Sequence, residues 1–229
     1  MIKSNKRMYP INEIFNTIQG EAKFTGTPSV FIRMQGCDVG CAWCDTKRTW
    51  DKDIANKIDF TELVNKNKEN GKWADVGLDE LVEYIQNTYP VISHVVITGG
   101  EPAMYNLTSL CVKLEEIGKD VQIETSGTEE THVSPSTWVT LSPKIDMPNK
   151  KPLIKSAVIR ANEIKMPIGK KQDIEKLRRF LNEYDISQDV NIWLQPLSTN
   201  PSSTSICMDE AMKNNWKISI QTHKYLNIR

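Results

Sequence analysis

The run CDVGCAWCD at positions 37–45 sets Cys37, Cys41 and Cys44 within eight residues, spaced CxxxCxxC. In a reducing compartment, thiols crowded this way belong to metal or redox chemistry rather than to a disulfide scaffold. Cys111 and Cys207 stand apart inside helix-patterned segments and read as small buried hydrophobes, and five cysteines is an odd count for pairing. A structural zinc ion calls for four protein ligands, usually two chelating pairs, and no second pair follows. Asp38 and Asp45 are poor candidates to complete such a site, because neighbours in a tight loop rarely reach one metal. A 4Fe–4S cluster is normally held by four thiolates. Three leave one iron open, and an open iron can chelate the amino and carboxylate groups of S-adenosylmethionine and begin radical chemistry there.

Such a loop needs a frame. PSVFIRMQG (28–36) reads as a strand feeding directly into it, and HVVIT (94–98), VQIET (121–125), WVTLS (138–142), EIKM (163–166), VNIWLQP (190–196) and KISIQTH (217–223) are further strands. Between them, Leu78, Leu81, Val82, Ile85 and Tyr89 share one helical stripe, as do Leu107, Leu110, Leu114 and Ile117, with Gly118 as a stop. Ile174, Leu177, Leu181 and Tyr184 mark a third helix within 170–184, and a fourth is expected around 203–215. This alternation predicts an α/β fold with a parallel sheet, open or curved into a barrel, in a single domain over residues 1–229. The polar stretch 47–77 is expected to be a loop-rich insertion in place of the first helix. The chemistry-bearing segments fall where strands end: QGCDVGCAWCD, TGGEP, ETSGT, SPK, LQP and QTHK. Parallel α/β folds place their ligand site outside those ends.

Composition excludes several classes. Lysine plus arginine equals aspartate plus glutamate, 29 each, so no bulk positive charge points to nucleic acid as a partner. The start MIKSNKRMYPINE lacks the apolar core of a secretory signal, and no apolar run approaches the roughly 18 residues of a membrane span. The expectation is a cytoplasmic enzyme without a membrane partner. A zinc-stabilised RNA-binding module would need a fourth clustered ligand and a basic surface.

With TGGEP (98–102) following CxxxCxxC, the sequence resembles the radical S-adenosylmethionine superfamily, whose partial (β/α)6 barrel matches the alternation. TIQGEAKFTGTPSVFIRMQGC, WCDTK, VVITGGEP, QIETSGT, TWVTLSPK, RANEIKMPIG, LQP and QTHKYLNIR, in that order, resemble the 7-carboxy-7-deazaguanine synthase family from about Tyr9 onward. A radical activase acting on a protein would share the cysteines and GGEP, yet has no reason to carry Arg33, Thr46 and QTHK together. The resemblance implies a carbon–nitrogen lyase that contracts 6-carboxy-5,6,7,8-tetrahydropterin to 7-carboxy-7-deazaguanine with loss of ammonia, on the route to queuosine. It also implies a flavodoxin-like electron donor and a homodimer.

Roles follow from the same resemblance. Cys37, Cys41 and Cys44 match the cluster ligands, and Thr46 a magnesium ligand through its hydroxyl. Trp43, Cys44, Asp45, Gly100, Ser142, Pro143 and Lys144 match the S-adenosylmethionine site, with Gln195 and Pro196 beside it. The bare glycines of TGGEP would let backbone approach the cofactor's amino group. Ile18, Gln19, Gly20, Glu21, Arg33, Thr98 and His223 match substrate contacts, Arg33 for the carboxylate. Taken without the resemblance, Arg33 reads equally as a strand arginine facing solvent or pairing with an acid, Glu21 as a turn carboxylate and His223 as structural; His94 and His132 read as structural. The family commonly has a second glycine after Gln19-Gly20-Glu21, where this chain has Ala22, which is tolerable at negative φ and costly at positive φ.

Overall fold

The computed structural model describes residues 7–66, 68–187 and 189–228. Residues 1–6 of the N-terminal stretch, Asn67 within the insertion, and Arg229 of QTHKYLNIR lie outside the described residues. The strands are β1 (Met8–Ile18), β2 (Pro28–Met34), β3 (Ala74–Gly77), β4 (His94–Gly99), β5 (Asp120–Thr125), β6 (Trp138–Leu141), β7 (Glu163–Ile168), β8 (Asn191–Pro196) and β9 (Lys217–Ile218). They form one sheet in the order β3-β1-β2-β4-β5-β6-β7-β8-β9. From β2 through β9 each neighbour is parallel. β1 runs antiparallel to both β2 and β3. This is the α/β partial barrel expected, extended by two antiparallel strands on one edge.

Crossovers put helices on one face of the parallel strands: α2 (Leu78–Thr88), α3 (Thr108–Glu116), α4 (Lys155–Arg160), α5 (Lys171–Glu183) and α6 (Pro201–Asn214). Side chains tie the starts of the last two, which otherwise leave unpaired backbone N–H groups. The Asn200 side chain accepts from Ser202 N at 2.9 Å ahead of α6, and Asp173 Oδ2 from Gly169 N at 2.9 Å ahead of α5. Leu81 and Ile85 of α2 and Leu110 and Leu114 of α3 pack with Val30, Ile32, Val95, Ile97, Val121 and Ile123 of the strands. A second core joins Leu177 and Phe180 of α5 and Cys207 of α6 to Ile164, Ile168 and Leu194. Each fully buried aliphatic side chain contributes about 1.5–3 kcal/mol.

The opposite, concave face is polar. Gln122 and Glu124 alternate with Val121 and Ile123 on β5, and Glu163 and Lys165 alternate with Ile164 and Met166 on β7, so each strand is apolar outside and polar inside. Buried polar groups persist there because they pair. His94 Nε2 meets Gln122 Oε1 at 3.0 Å, Gln122 Nε2 donates to Thr140 Oγ1 at 2.8 Å, Thr140 donates to Glu163 Oε1 at 2.7 Å, and Trp193 Nε1 donates to Glu163 Oε2 at 2.8 Å.

Several elements depart from expectation. β1 was not predicted: Asn12 and Glu13 interrupt its apolar pattern because both turn to buried polar partners. The 47–77 stretch is loop-rich, with short 3-10 turns and the five-residue α1 (Phe60–Val64), but it precedes α2, which itself carries the crossover to β4. Its last residues form β3 by pairing with β1. The strand expected over 217–223 stops at Ile218, and Thr222–Leu226 forms the short helix α7. α4 carries too short an apolar stripe to be read from sequence.

The loop after β1 crosses beneath the concave face to the far edge of the sheet. Phe24 packs at a tilt against His94 (ring centroids 4.4 Å, planes 37° apart) and meets Trp138 edge-on (5.6 Å). Gly20 O accepts from Thr222 N at 3.0 Å, and Ala22 N donates to Ser219 Oγ at 3.0 Å. The loop thereby ties the β1 edge to the β9 edge and floors the half-barrel.

Candidate active site

Cys37, Cys41 and Cys44 leave the end of β2 and line one cavity of about 270 Å³. All three thiols are free and cluster with Val39 and Met147. Backbone holds their loop. Gly36 N donates to Thr49 O at 2.7 Å, Cys37 N to Trp50 O at 3.0 Å, and Cys44 N to Cys41 O at 3.1 Å. The start of the 47–77 stretch is therefore a clamp on the cysteine loop. It is anchored in turn by Gln35, whose Nε2 donates to Asp51 O at 2.6 Å. Trp50 Nε1 donates to Cys44 Sγ at 3.4 Å. Burial pushes the Cys37 thiol up to about 11 and raises Cys41, so metal loading at neutral pH must displace their protons. Three free thiols facing one cavity, with an N–H donor to sulfur, form a donor set that fits an iron–sulfur cluster. Among the described residues, no three His, Cys, Asp or Glu side chains are set to hold a single metal ion.

The end of β4 presses on this loop. A Cβ on Gly100 would sit 2.0 Å from Gly36 O, and one on Gly99 (φ +127°) 2.3 Å from Met34 N. The close approach that these glycines permit is thus to the chain's own cysteine loop, a requirement additional to any contact with a cofactor. Gly100 also lines the cavity, as do Thr98, Trp43, Asp45 and Thr46. Among the described residues, Thr46 Oγ1 makes long contacts, 3.5 Å to Gly99 O and 3.6 Å to Cys44 Sγ. Glu101 is buried and accepts from Ala103 N, Thr125 Oγ1 and Ser126 N, which locks the β4 turn to the end of β5.

Ser142, Lys144 and Gln195 line the same cavity from the ends of β6 and β8. Lys144 Nζ donates to Ser142 Oγ at 2.6 Å, and burial lowers the pKa of its ammonium. Pro143 faces an adjoining cavity of about 330 Å³, which shares Trp43, Lys144 and Leu197 with the first.

The floor is ionic. Lys165 Nζ lies 2.5 Å from Glu21 Oε2 and 2.8 Å from Glu124 Oε2. Gln221 Nε2 donates to Glu21 Oε1 at 2.8 Å, Gln195 Nε2 at 3.4 Å, and Gln19 Nε2 to Glu124 Oε1 at 3.2 Å. Burial alone would raise the Glu21 carboxyl, but the Lys165 charge and these hydrogen bonds hold it down to about 2, while the two acids raise the Lys165 ammonium far above the ordinary lysine range.

Other expected substrate residues sit beside this floor without lining the cavity. Gln19 stands behind Glu21 and Glu124. Gly20 packs against His223, whose Nδ1 would be 2.5 Å from an added Cβ, and Ile18 ends β1 opposite Pro28. Arg33, level with Thr98 on the concave face, has Nε 2.6 Å from Glu13 Oε1. Lys165, Glu124 and Glu101, all cavity-lining, had no assigned role. The available signal was the period-two placing of charged residues along the strands read at 121–125 and 163–166. Ala22 has φ +54°, the costly case.

Residues 31–184 match the family model of the radical SAM superfamily. The chain is 46% identical over 220 residues to the 7-carboxy-7-deazaguanine synthase of Escherichia coli (strain K12), spanning 96% of this chain and 99% of that one. It is 47% identical over 221 residues to that of Buchnera aphidicola subsp. Schizaphis graminum, at 96% and 99% coverage. The crystal structure of QueE from Escherichia coli matches with a TM-score of 0.90 and 44% identity, covering 93% of this chain and 94% of that chain. The cysteine cavity, the half-barrel around it and these likenesses along nearly the whole chain agree: this protein belongs to the 7-carboxy-7-deazaguanine synthase family of the radical SAM superfamily.

Proposed function

We infer that the protein converts 6-carboxy-5,6,7,8-tetrahydropterin to 7-carboxy-7-deazaguanine with loss of ammonia. The observation that carries this reading is the single cavity in which three free thiols face an enclosed polar floor, in a chain so like named synthases over its length. A 4Fe–4S cluster on Cys37, Cys41 and Cys44 supplies, when bound, one-electron chemistry on S-adenosylmethionine that activates a substrate C–H bond. The protein positions the reactants and excludes water. Trp43, Asp45, Gly100, Ser142, Lys144 and Gln195 surround the cofactor's place, with Pro143 in the adjoining cavity. Thr46 offers a lightly engaged hydroxyl to magnesium, a hard ion that accepts substrate oxygens and waters as its other ligands. Thr98 and Glu21 face the substrate directly. Gln19, Gly20 and Ile18 set the loop that carries Glu21, His223 packs on that loop, and Arg33 is held by Glu13 beside Thr98.

The chain acts as a single domain, since one sheet runs through the described residues. Pairing of two copies and electron delivery by a flavodoxin-like protein complete the reading and rest on the family likeness. Among the described residues, no helix is long and apolar enough to cross a membrane.

The test is anaerobic turnover with reconstituted protein, dithionite, S-adenosylmethionine, magnesium and the carboxytetrahydropterin, with product read by mass spectrometry. Formation of 7-carboxy-7-deazaguanine, abolished by Cys41→Ala, is expected. Release of 5′-deoxyadenosine with the pterin untouched would keep the radical chemistry and reject the substrate. Neither product from cluster-bearing protein would reject both.

A further inference from the structure

Glu13 and Arg33 face each other across β1 and β2. Glu13 is buried, and Arg33 stands level with Thr98, which lines the cavity. The Arg33 guanidinium lies over the Phe15 ring, 5.5 Å from its centroid, and donates Nε to Glu13 Oε1 at 2.6 Å. Among the described residues, its two Nη groups make no further hydrogen bond. Fixed at Nε and along one flat face, the arginine keeps an open Nη side, the fork that suits a planar acid.

A second arginine reaches the same oxygen. Arg48, in the 3-10 turn Lys47–Thr49 of the loop-rich 47–77 stretch, has Nη2 2.9 Å from Glu13 Oε1 and 2.9 Å from Glu69 Oε2. Both contacts use that one nitrogen, and Arg48 Nε is buried without a partner among the described residues. Glu69 belongs to the same stretch and is half-exposed. A chain of charge, Glu69–Arg48–Glu13–Arg33, thus runs from the surface of the stretch to the edge of the cavity. A carboxylate alone with an arginine tends to close on its fork through two parallel bonds. Arg48 competes for Glu13, and the bond to Arg33 stays single. Resting on the substrate assignment above, with Arg33 as the carboxylate contact, we propose that Arg48 is a positioning residue: by sharing Glu13 it keeps the Nη side of Arg33 open to the carboxylate of the pterin. The 47–77 stretch then serves substrate recognition as well as clamping the cysteine loop.

The experiment is equilibrium binding by fluorescence titration on the full, cluster-loaded chain, under anaerobic conditions and in magnesium-free buffer, so that no added metal takes the carboxylate. The probes are 6-carboxypterin and pterin, which lacks that group. The wild type is expected to prefer 6-carboxypterin by about 100-fold, and Arg33→Met to lose the preference. Arg48→Met is expected to cut it to about 10-fold while pterin affinity moves by less than about threefold, a split that general damage to the fold does not produce. Because one nitrogen serves both acids, a point charge can stand in for it, and Arg48→Lys is expected to stay within about threefold of the wild-type preference. The double variant Arg48→Met/Glu13→Gln is expected to regain most of the preference, since a glutamine amide offers the fork one oxygen in place of two. Should Arg48→Met fail to fold by circular dichroism, Arg48→Gln is read in its place, with the same expectation.

Full preference in Arg48→Met, with Arg33→Met losing it, would overturn the proposal and leave Arg33 as the carboxylate contact. Equal losses of both probes in Arg48→Met would also overturn it, since Arg48 would then be only a strut for the cysteine loop. Full preference in Arg33→Met, or equal affinity of the wild type for both probes, would overturn the carboxylate assignment and the proposal with it. Binding of neither probe to cluster-loaded wild type would overturn the substrate assignment itself, and is told apart by the missing titration signal.

Discussion

The rim and the floor of the cavity are built on opposite plans. At the rim, backbone does the holding: Thr49 and Trp50 carbonyls accept from Gly36 and Cys37, and Glu101 N donates to Gly36 O at 2.8 Å. Its three cysteine side chains face the cavity and take no part in disulfides. At the floor, side-chain charge does the holding, with Lys165 between Glu21 and Glu124. A backbone clamp is indifferent to pH and intolerant of added volume. An ion triad tolerates small changes of shape and depends on ionisation. The rim should therefore break by steric substitution and the floor by titration.

The largest effect is expected at the rim. Gly100→Ala places a Cβ 2.0 Å from Gly36 O and 3.2 Å from Cys37 Cβ, and neither neighbour is the far end of a flexible chain. A cost of about 3 kcal/mol or more is expected, lowering Tm by roughly 6–12 °C, with iron per chain falling after reconstitution. Unchanged iron content and melting would show that the β4 turn and the cysteine loop are not rigidly coupled.

The floor comes next. Glu21 has a folded pKa held below its unfolded value, so the stability it contributes is present above about pH 4.5 and is lost as pH falls toward about 2. Glu21→Gln removes that titration. Between pH 5 and pH 2 the wild type is expected to lose on the order of 2 kcal/mol more than the variant, read from urea midpoints. Parallel losses in the two proteins would mean that the triad adds nothing to acid stability.

The smallest effect concerns the loop that carries Glu21. Ala22→Gly relieves about 1–2 kcal/mol of left-handed backbone cost, offset by glycine's greater chain entropy and a buried methyl group. A net gain of no more than about 1 kcal/mol is expected, seen as a slightly higher Tm. A clear fall in Tm would show that the buried methyl outweighs the strain.

How much of this was legible depended on the separation of the parts. Cys37, Cys41 and Cys44 lie within eight residues, so their spacing alone announced a metal loop, whereas Thr46 was reached only through the family resemblance. The strands of the parallel sheet and the helices α2, α3, α5 and α6 were readable because apolar periods of 2 and 3.6 are local properties. β1 was not, since Asn12 and Glu13 satisfy partners that a linear reading cannot supply: Asn12 Nδ2 donates to Gln35 Oε1 at 2.8 Å, and Glu13 takes Arg33. Gly100 was recognised as significant, but the pressure of Gly36 O on its Cα depends on two strand ends meeting.

By itself, then, the amino-acid order determined the alternating strands and helices, the thiol loop at the end of β2, and the absence of bulk charge for nucleic acid. These follow from steric periodicity, short-range spacing and counting. Only the tertiary structure decided that the loop after β1 runs under the half-barrel, that Ala22 is left-handed, and that Lys165 meets an acid 144 residues away and another 41 residues away. Those pairings depend on which strands lie side by side. That arrangement is set by burial of the helix-covered face and not by any pattern near the paired residues.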